Sequence, residues 1–168
     1  MENQNKELVI TRTFDAPREL VFEAFTKAEH LAHWWGPAGV KMGQVKVDLR
    51  PGGEFHYSMI APDGTEMWGK FVYLEIVPPS RIVFVSSFSD KDANVVRAPF
   101  NSSWPAEVRN VLSLTEDNCK TTVTLVGYPI NASAEECKLF EEFSGSMHEG
   151  FKGTFDQLEA YLSTLVNA

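Results

Sequence analysis

The sequence predicts an α+β fold in which a curved, seven-stranded antiparallel sheet wraps around a long C-terminal helix. Three observations support this architecture. A strand-like run opens the chain and two short helix-like segments follow it. Six further strand-like runs then lie close together in sequence, which favours antiparallel neighbours. The last part of the chain has the apolar spacing of an amphipathic helix, and such a helix needs an apolar surface to cover.

The first strand and the two short helices are predicted from residues 8 to 35. LVITRTF, residues 8–14, alternates between apolar and polar side chains as a strand does. A helix is predicted over 15–26, where Asp15 can cap the first turn. A second helix is predicted over 28–35. It ends before Pro37, because a residue that precedes proline is pushed out of the helical region.

The six remaining strands are predicted between turns that are rich in Gly, Pro, Asp and Asn. Pro51-Gly52-Gly53 is one such turn. Residues of these types favour the backbone conformations that turns need and strands avoid. The strands are predicted over residues 41–49, 54–60, 66–77, 81–88, 108–116 and 120–128.

The long helix is predicted to begin near Gly145 or Ser146 and to run almost to the end of the chain. Its apolar side chains recur at steps of three and four, so they form one stripe along the helix. That stripe consists of Met147, Phe151, Phe155, Leu158, Leu162 and Leu165.

The composition indicates one globular domain, residues 1–168, and argues against several classes of function. The 15 basic and 23 acidic residues give a net charge of −8, which repels the phosphates of nucleic acids. No apolar run approaches the roughly 20 residues of a membrane span, and the first residues lack a signal-peptide pattern. Two cysteines are too few for a disulfide framework. We therefore expect a cytoplasmic protein that binds no nucleic acid and inserts into no membrane.

The stretch HLAHWWGPAGV, residues 30–40, offers a metal site and a hydrophobic wall as competing interpretations. His30 and His33 lie three positions apart on a short helix, a spacing that can serve a metal. No third ligand is evident and no metal motif accompanies them, so we predict no metal site. The side chains of Trp34 and Trp35 diverge by about 100 degrees on a helix. We expect one indole in the core and the other at the mouth of a cavity or in solvent.

Two glycines interrupt the predicted long helix at Gly150 and Gly153. Glycine inside a helix costs about 1 kcal/mol relative to alanine, so a specific reason for their presence is expected. Two interpretations remain open. Either Gly150 packs tightly against a sheet residue, or it leaves room for a ligand bounded by Met147 and Phe151.

No catalytic arrangement is recognisable in the sequence. It has no nucleophile elbow, no phosphate loop and no dinucleotide fingerprint, so we predict no cofactor. Ser146 and His148 lie two positions apart on a helix and therefore do not face each other. Glu107 and Arg109 alternate on one strand and form either a polar handle in a cavity or a solvated ion pair. These observations favour binding over turnover and leave enzyme activity open.

Six segments give the chain a resemblance to a known family over about residues 7–165. They are HWWGP, PGGEF, APDGTEMWGKF, EIVPPSRIVF, WPAEV and FEEFSGSMHEGFKGTFDQLEAYL, in this order and at these spacings. The chain resembles the bacterial branch that is similar to the C-terminal domain of the heat-shock-protein-90 ATPase activator, within the SRPBCC (START-like) superfamily. The resemblance implies a single helix-grip domain, in which the sheet grips the long helix and leaves an apolar cavity. Residues 89–106 resemble the longer loop of this branch.

The resemblance leaves three functions to consider, since a shared fold does not select among them. The first is binding of a hydrophobic or amphipathic small molecule between the sheet and the long helix. The second is a co-chaperone-like interaction with a heat-shock-protein ATPase, with a chaperone as partner. The third is a cyclase-type or hydrolase-type enzyme that acts in the same cavity. A homodimer is compatible with each of them.

For the binding function, the predicted ligand contacts are aromatic side chains at alternate strand positions, together with residues of the two flanking segments. Strand aromatics on one face point toward the same side of the sheet. The predicted contacts are Trp35, Phe55, Tyr57, Phe71, Phe84, Trp104, Glu107, Met147, Gly150 and Phe151.

Overall fold

A computed structural model describes residues 7–36, 40–98 and 103–166 of the chain. Strand, two short helices, a run of strands and a long terminal helix follow one another in the predicted order. The elements are β1 (Leu8–Phe14), α1 (Arg18–Thr26), α2 (Ala28–Trp34), β2 (Lys41–Val47), β3 (Glu54–Ile60), β4 (Glu66–Val77), β5 (Arg81–Ser89), β6 (Val95–Val96), β7 (Glu107–Asp117), β8 (Lys120–Ile130), α3 (Ala134–Glu142) and α4 (Ser144–Val166).

The sheet is antiparallel throughout and has the strand order β1-β8-β7-β5-β4-β3-β2, with β6 paired to the end of β5. The strands β2 to β5 pair in sequence order as hairpins, and so do β7 and β8. Between β7 and β8, Asn118 and Cys119 both have positive φ, as a tight two-residue hairpin turn requires. The connection from α2 places β2 at one edge, and β1 lies at the other edge beside β8. The predicted α+β helix-grip architecture is therefore confirmed.

The long helix α4 packs on the sheet and on α2 through the second half of its apolar stripe. Phe155, Leu158 and Leu162 are buried there, and the ring of Phe155 meets that of Phe14 edge-on at 5.8 Å between centroids. Arg12 of β1 also pairs with Asp156 and Glu159 on this helix. No helix among the described residues is both long and apolar enough to cross a membrane.

Two elements were not predicted from the sequence, namely β6 and α3. The strand β6 has only two residues, too few for a periodicity signal. The helix α3 begins with a capping box, in which the Ser133 hydroxyl accepts from the Glu136 N–H and the Glu136 carboxylate accepts from the Ser133 N–H. A serine followed three residues later by glutamate is a recognisable helix start, so the signal was present in the sequence.

Candidate functional site

A cavity of about 230 Å³ lies between the concave face of the sheet and α4. A dry cavity of ~150 Å³ already holds a benzene molecule, so this space is large enough for a bicyclic compound. Its wall is mostly aromatic and aliphatic. Among the described lining residues there is no Lys, Arg, Asp, Glu or His, and the polar side chains beside the aromatic ones are Ser86, Ser87 and Asn110.

Alternation along three neighbouring strands builds the aromatic part of the wall. Phe71 of β4 stacks on Phe84 of β5, with 4.2 Å between ring centroids. On β3, Tyr57 lies opposite Gly69 of β4, and a Cβ on that glycine would stand only 2.6 Å from the Tyr57 Oη. Glycine at this strand position therefore allows the Tyr57 ring to lie flat across its neighbour.

The two adjacent tryptophans have separate positions, as the sequence predicts. Trp34 is only 1% exposed, and its Nε1 donates to the Ala24 carbonyl at 2.9 Å, so this indole belongs to the core. Trp35 follows the end of α2 in an extended conformation and lines the cavity. Its ring lies 5.4 Å from that of Phe71 and 6.0 Å from that of Tyr57. The WW pair is thus one core residue and one wall residue.

Gly36 completes this turn and ties it to the long helix. Its φ of 102° lies in a region that side chains rarely adopt, so glycine is needed there. Its carbonyl accepts hydrogen bonds from Thr154 Oγ1 at 3.1 Å and from Gln157 Nε2 at 2.7 Å. The segment that carries Trp35 is therefore fixed to the middle of α4.

The structure brings six of the ten predicted ligand contacts to the cavity wall. Phe55 and Met147 are not among the described lining residues: Phe55 is fully buried behind Trp35 and Phe71, and Met147 is half-buried against the core. The role of the six as ligand contacts stays a prediction. They are Trp35, Tyr57, Phe71, Phe84, Trp104 and Phe151.

The placement predicted for Gly150 is wrong in both of its forms. Gly150 is exposed, and a Cβ built on it would meet no atom within 4 Å. It therefore does not pack against the sheet, and it is not among the described residues that line the cavity. Gly153 likewise has no neighbour within 4 Å of its Cβ position.

Glu107 is also displaced from its predicted place in the cavity. Glu107 accepts a 3.4 Å hydrogen bond from Asn131, and Arg109 donates to the Tyr128 hydroxyl at 3.0 Å. Neither residue lines the cavity, since the side chains at the alternate positions of β7 point inward instead. Val108 and Asn110 therefore line it. The polar Asn110 at an inward position of a strand was the available sequence signal, and it was missed.

Two polar hydrogens at the wall have no acceptor among the described residues. Trp35 Nε1 and Tyr73 Oη are both buried and without a hydrogen-bond partner. Burial raises the pKa of Tyr73 above its usual value and raises the pKa of Tyr57 to about 12. The neighbouring Trp35 indole opposes this effect and lowers the pKa of Tyr57, although its N–H does not complete a hydrogen bond. Both phenols are therefore protonated at neutral pH and able to donate.

The segment that leads into β7 covers one side of the cavity. Trp104 and Pro105 are buried there, and the Trp104 ring packs 5.6 Å from that of Phe140 on α3. Arg97 Nη1 donates to the Trp104 carbonyl at 3.2 Å and pairs with Glu136 Oε2 at 2.6 Å. The wall on this side is thus attached to the start of α3, an element that the sequence analysis lacked. Residues 99–102 of the predicted loop lie outside the described residues.

The two histidines of the HLAHWW stretch contact a tyrosine. His30 Nδ1 lies 2.6 Å from the Tyr161 hydroxyl, and the His33 ring stacks on the Tyr161 ring at 5.0 Å. In the described parts of the chain, no three His, Cys, Asp or Glu side chains are grouped as a metal site would need. This cluster joins α2 to α4, and none of its three residues is among the described residues that line the cavity.

Known proteins give the chain a clear set of relatives. A family model described as Activator of Hsp90 ATPase homolog 1-like protein matches residues 15–163. Protein Ms6760 from Mycobacterium smegmatis is 31% identical, with a TM-score of 0.74 over 93% of this chain and 90% of that chain. Protein NE0264 from Nitrosomonas europaea is 26% identical, with a TM-score of 0.78 over 99% and 100%. The AHSA1 (SPO3351) protein from Silicibacter pomeroyi, 19% identical over 95% and 99%, shares the fold at a TM-score of 0.73. No curated protein matches the chain.

Proposed function

Because the chain belongs to the Activator of Hsp90 ATPase homolog 1-like family, we propose that it binds a hydrophobic or amphipathic small molecule in the cavity between its sheet and α4. The observation that carries the proposal is the cavity of about 230 Å³ itself. A concave pocket with an apolar wall that opens to solvent is the usual form of a small-molecule site, and exposed apolar surface of this kind is unfavourable in water. A ligand that covers this surface would remove that cost.

The chemistry of the wall supports an apolar ligand. Aromatic and aliphatic side chains supply most of it, so a bound molecule gains about 25 cal/mol for each Å² of apolar surface that leaves water. A charged group deep in the cavity would find no counter-ion among the described lining residues. An amphipathic ligand would therefore keep its charged end at the mouth.

The same wall favours binding over turnover. General acid–base catalysis needs a group whose pKa lies near the working pH. The cavity offers two serines without a neighbouring base and phenols whose pKa burial raises further. A chaperone partner and a homodimer stay predictions, since neither follows from the geometry of the cavity. A cytoplasmic location is part of the proposal.

Native mass spectrometry of the protein, purified gently from its own host, tests the proposal without a guess at the ligand. We expect an additional mass that organic denaturation releases. Finding only the unliganded mass, together with no binding of small apolar compounds, would contradict the proposal.

A filled-cavity variant gives the matched test with a defined probe. Ala106 lines the cavity, so Ala106→Phe should place a ring inside it and weaken the binding of indane by about tenfold or more. Gly150→Phe adds a benzyl group on the exposed side of α4 and should leave indane binding unchanged. Isothermal titration calorimetry measures both affinities, with melting temperatures as a control for folding. Equal effects of the two substitutions would show that indane binds elsewhere.

A further inference from the structure

The two unpartnered donors carry an inference about the chemistry of the ligand, and it rests on the proposed function. Trp35 Nε1 and Tyr73 Oη belong to residues that line the same cavity, and each is buried without completing a hydrogen bond. Buried polar groups in native proteins almost always have a hydrogen-bond partner, so each exception requires an explanation.

Leaving such donors unpaired is costly, and the chain has a simple alternative at one of them. A buried donor without a partner lowers stability, because it has given up its hydrogen bonds to water without replacement. Phenylalanine at position 73 would keep the ring, which is 2% exposed, and would remove the unsatisfied hydroxyl. A tyrosine that destabilises the empty protein is expected where its hydroxyl serves a bound molecule.

The two donors belong to one aromatic surface. Trp35 packs edge-on against Phe71, Phe71 stacks on Phe84, and Phe84 lies directly opposite Tyr73 in the β4–β5 ladder. Flat rings that line one wall fit a molecule with a planar apolar frame. Polar atoms at the edge of such a molecule are the ones that these donors would meet after their side chains turn toward the cavity.

The side-chain amide at the wall, that of Asn110, already donates within the protein. Asn110 Nδ2 donates to Ser86 Oγ at 3.1 Å and to the Val108 carbonyl at 3.0 Å. Its two hydrogens are therefore used within the sheet. This contrast distinguishes Tyr73, whose hydroxyl has no partner, and Trp35, whose N–H lies near the Tyr57 hydroxyl without completing a hydrogen bond.

We propose that the ligand is a neutral, largely planar molecule with at least one acceptor oxygen, such as a ketone or an ether, and that Trp35 Nε1 and Tyr73 Oη donate to its oxygen atoms. The ligand is neutral because no cationic side chain among the described lining residues would compensate a buried carboxylate. Both donors are covered in the unliganded protein, so the side chains turn toward the oxygen when it binds. Side-chain adjustments of this kind are common in complexes.

The test compares 1-indanone with indane, which share a bicyclic frame and differ by a carbonyl oxygen. Calorimetry gives the ratio of their affinities for wild type, Tyr73→Phe and Trp35→Phe. We expect the loss of a hydrogen bond to weaken indanone by about tenfold in Tyr73→Phe, whereas indane changes by less than about twofold. The indanone-to-indane ratio should also fall in Trp35→Phe. In the control Tyr161→Phe, which removes a hydroxyl outside the cavity, the ratio should stay constant.

A second measurement needs no ligand. Tyr73→Phe removes an unsatisfied group, so the empty variant should melt at the wild-type temperature or above it. An affinity ratio that stays unchanged in Tyr73→Phe, or a melting temperature several degrees lower, overturns the inference. If indane binds wild type while the ratio stays unchanged, the proposed function survives and only the ligand chemistry is wrong. If neither compound binds wild type, both proposals fail.

Discussion

The two halves of α4 differ in what lies beneath them. In the second half, residues 154–166, three large apolar side chains are buried and Arg12 of β1 pairs with two carboxylates. In the first half, residues 144–153, most side chains are exposed and only Met147 and Phe151 pack partly against the core. That half also contains three glycines, none of which has a neighbour within 4 Å of its Cβ position.

This difference predicts which half of the helix opens locally at the lower free-energy cost. Most helical stability in proteins comes from tertiary packing, and glycine in a helix costs about 1 kcal/mol relative to alanine. The first half is weak on both counts, and it carries Phe151 over the cavity. Weakly packed segments open locally at little cost, so under the proposed binding function we expect a ligand to enter past this half.

The two adjacent tryptophans should differ most in their contribution to stability, because Trp34 lies in the core and Trp35 lines the cavity. Trp34→Ala should cost about 3–5 kcal/mol of unfolding free energy, since the indole is buried and hydrogen-bonded. Trp35→Ala should cost about 1–3 kcal/mol, because the ring contacts four aromatic neighbours but stands beside a cavity. Urea titration of both variants measures the difference. Equal losses would mean that the two indoles are equally embedded.

Within α4 itself, truncating one side chain in each half sharpens the comparison. Leu158→Ala should cost about 2–5 kcal/mol, because the side chain is fully buried. Phe151→Ala removes a larger group yet should cost less than about 2 kcal/mol, because part of its surface already faces solvent or the cavity. The denaturant midpoints of the two variants measure which substitution lowers stability more. A larger loss of unfolding free energy in Phe151→Ala would mean that the first half of α4 contributes more to stability than the second.

Gly150→Ala should stabilise the protein by about 0.5–1 kcal/mol, because an exposed helical glycine gains propensity without a clash. Gly36→Ala is the matched control and should destabilise, since Gly36 has a φ of 102°. Thermal melts show whether each substitution raises or lowers the melting temperature. Hydrogen exchange should also slow in residues 144–153 of the Gly150→Ala protein if that half opens locally, and unchanged exchange would contradict local opening there.

The smallest expected effect concerns pH. The hydrogen bond from Arg12 holds the pKa of Asp156 below its usual value. A depressed folded-state pKa adds stability above the unfolded value of about 4, and that stability is lost as the pH falls through the folded value. Wild type should therefore lose a little more melting temperature below pH 4 than Asp156→Asn does. Glu149→Gln, the same charge change on the other half, serves as the control and should retain the wild-type acid response.

The fold was accessible from the sequence because alternation, turn residues and apolar spacing act over short distances. The strands around residues 54–60 and 66–77 appear as predicted, since each alternates and is bounded by Gly-rich or Pro-rich turns. The helix α3 was missed because its apolar pattern is short, although Ser133 and Glu136 form a standard start signal.

Only part of the candidate site could be predicted from the sequence. Alternation identified Tyr57, Phe71 and Phe84 as inward residues, because side-chain direction on a strand follows from parity. Gly150 was misplaced because the rotation of a helix about its axis depends on tertiary contacts that a stripe defines only to within a residue or so. The unpartnered state of Tyr73 lay beyond sequence reasoning altogether, since it depends on which atoms surround one hydroxyl.

The close approach of Tyr57 to Gly69 has a consequence for how this protein can diverge. A methyl group at position 69 would stand 2.6 Å from the Tyr57 hydroxyl, so the phenol would have to shift, and the outline of the cavity with it. Glycine and alanine codons differ by one nucleotide. A descendant of this gene could therefore acquire a differently shaped chamber in a single mutational step, while every strand and helix of the parent fold is inherited intact.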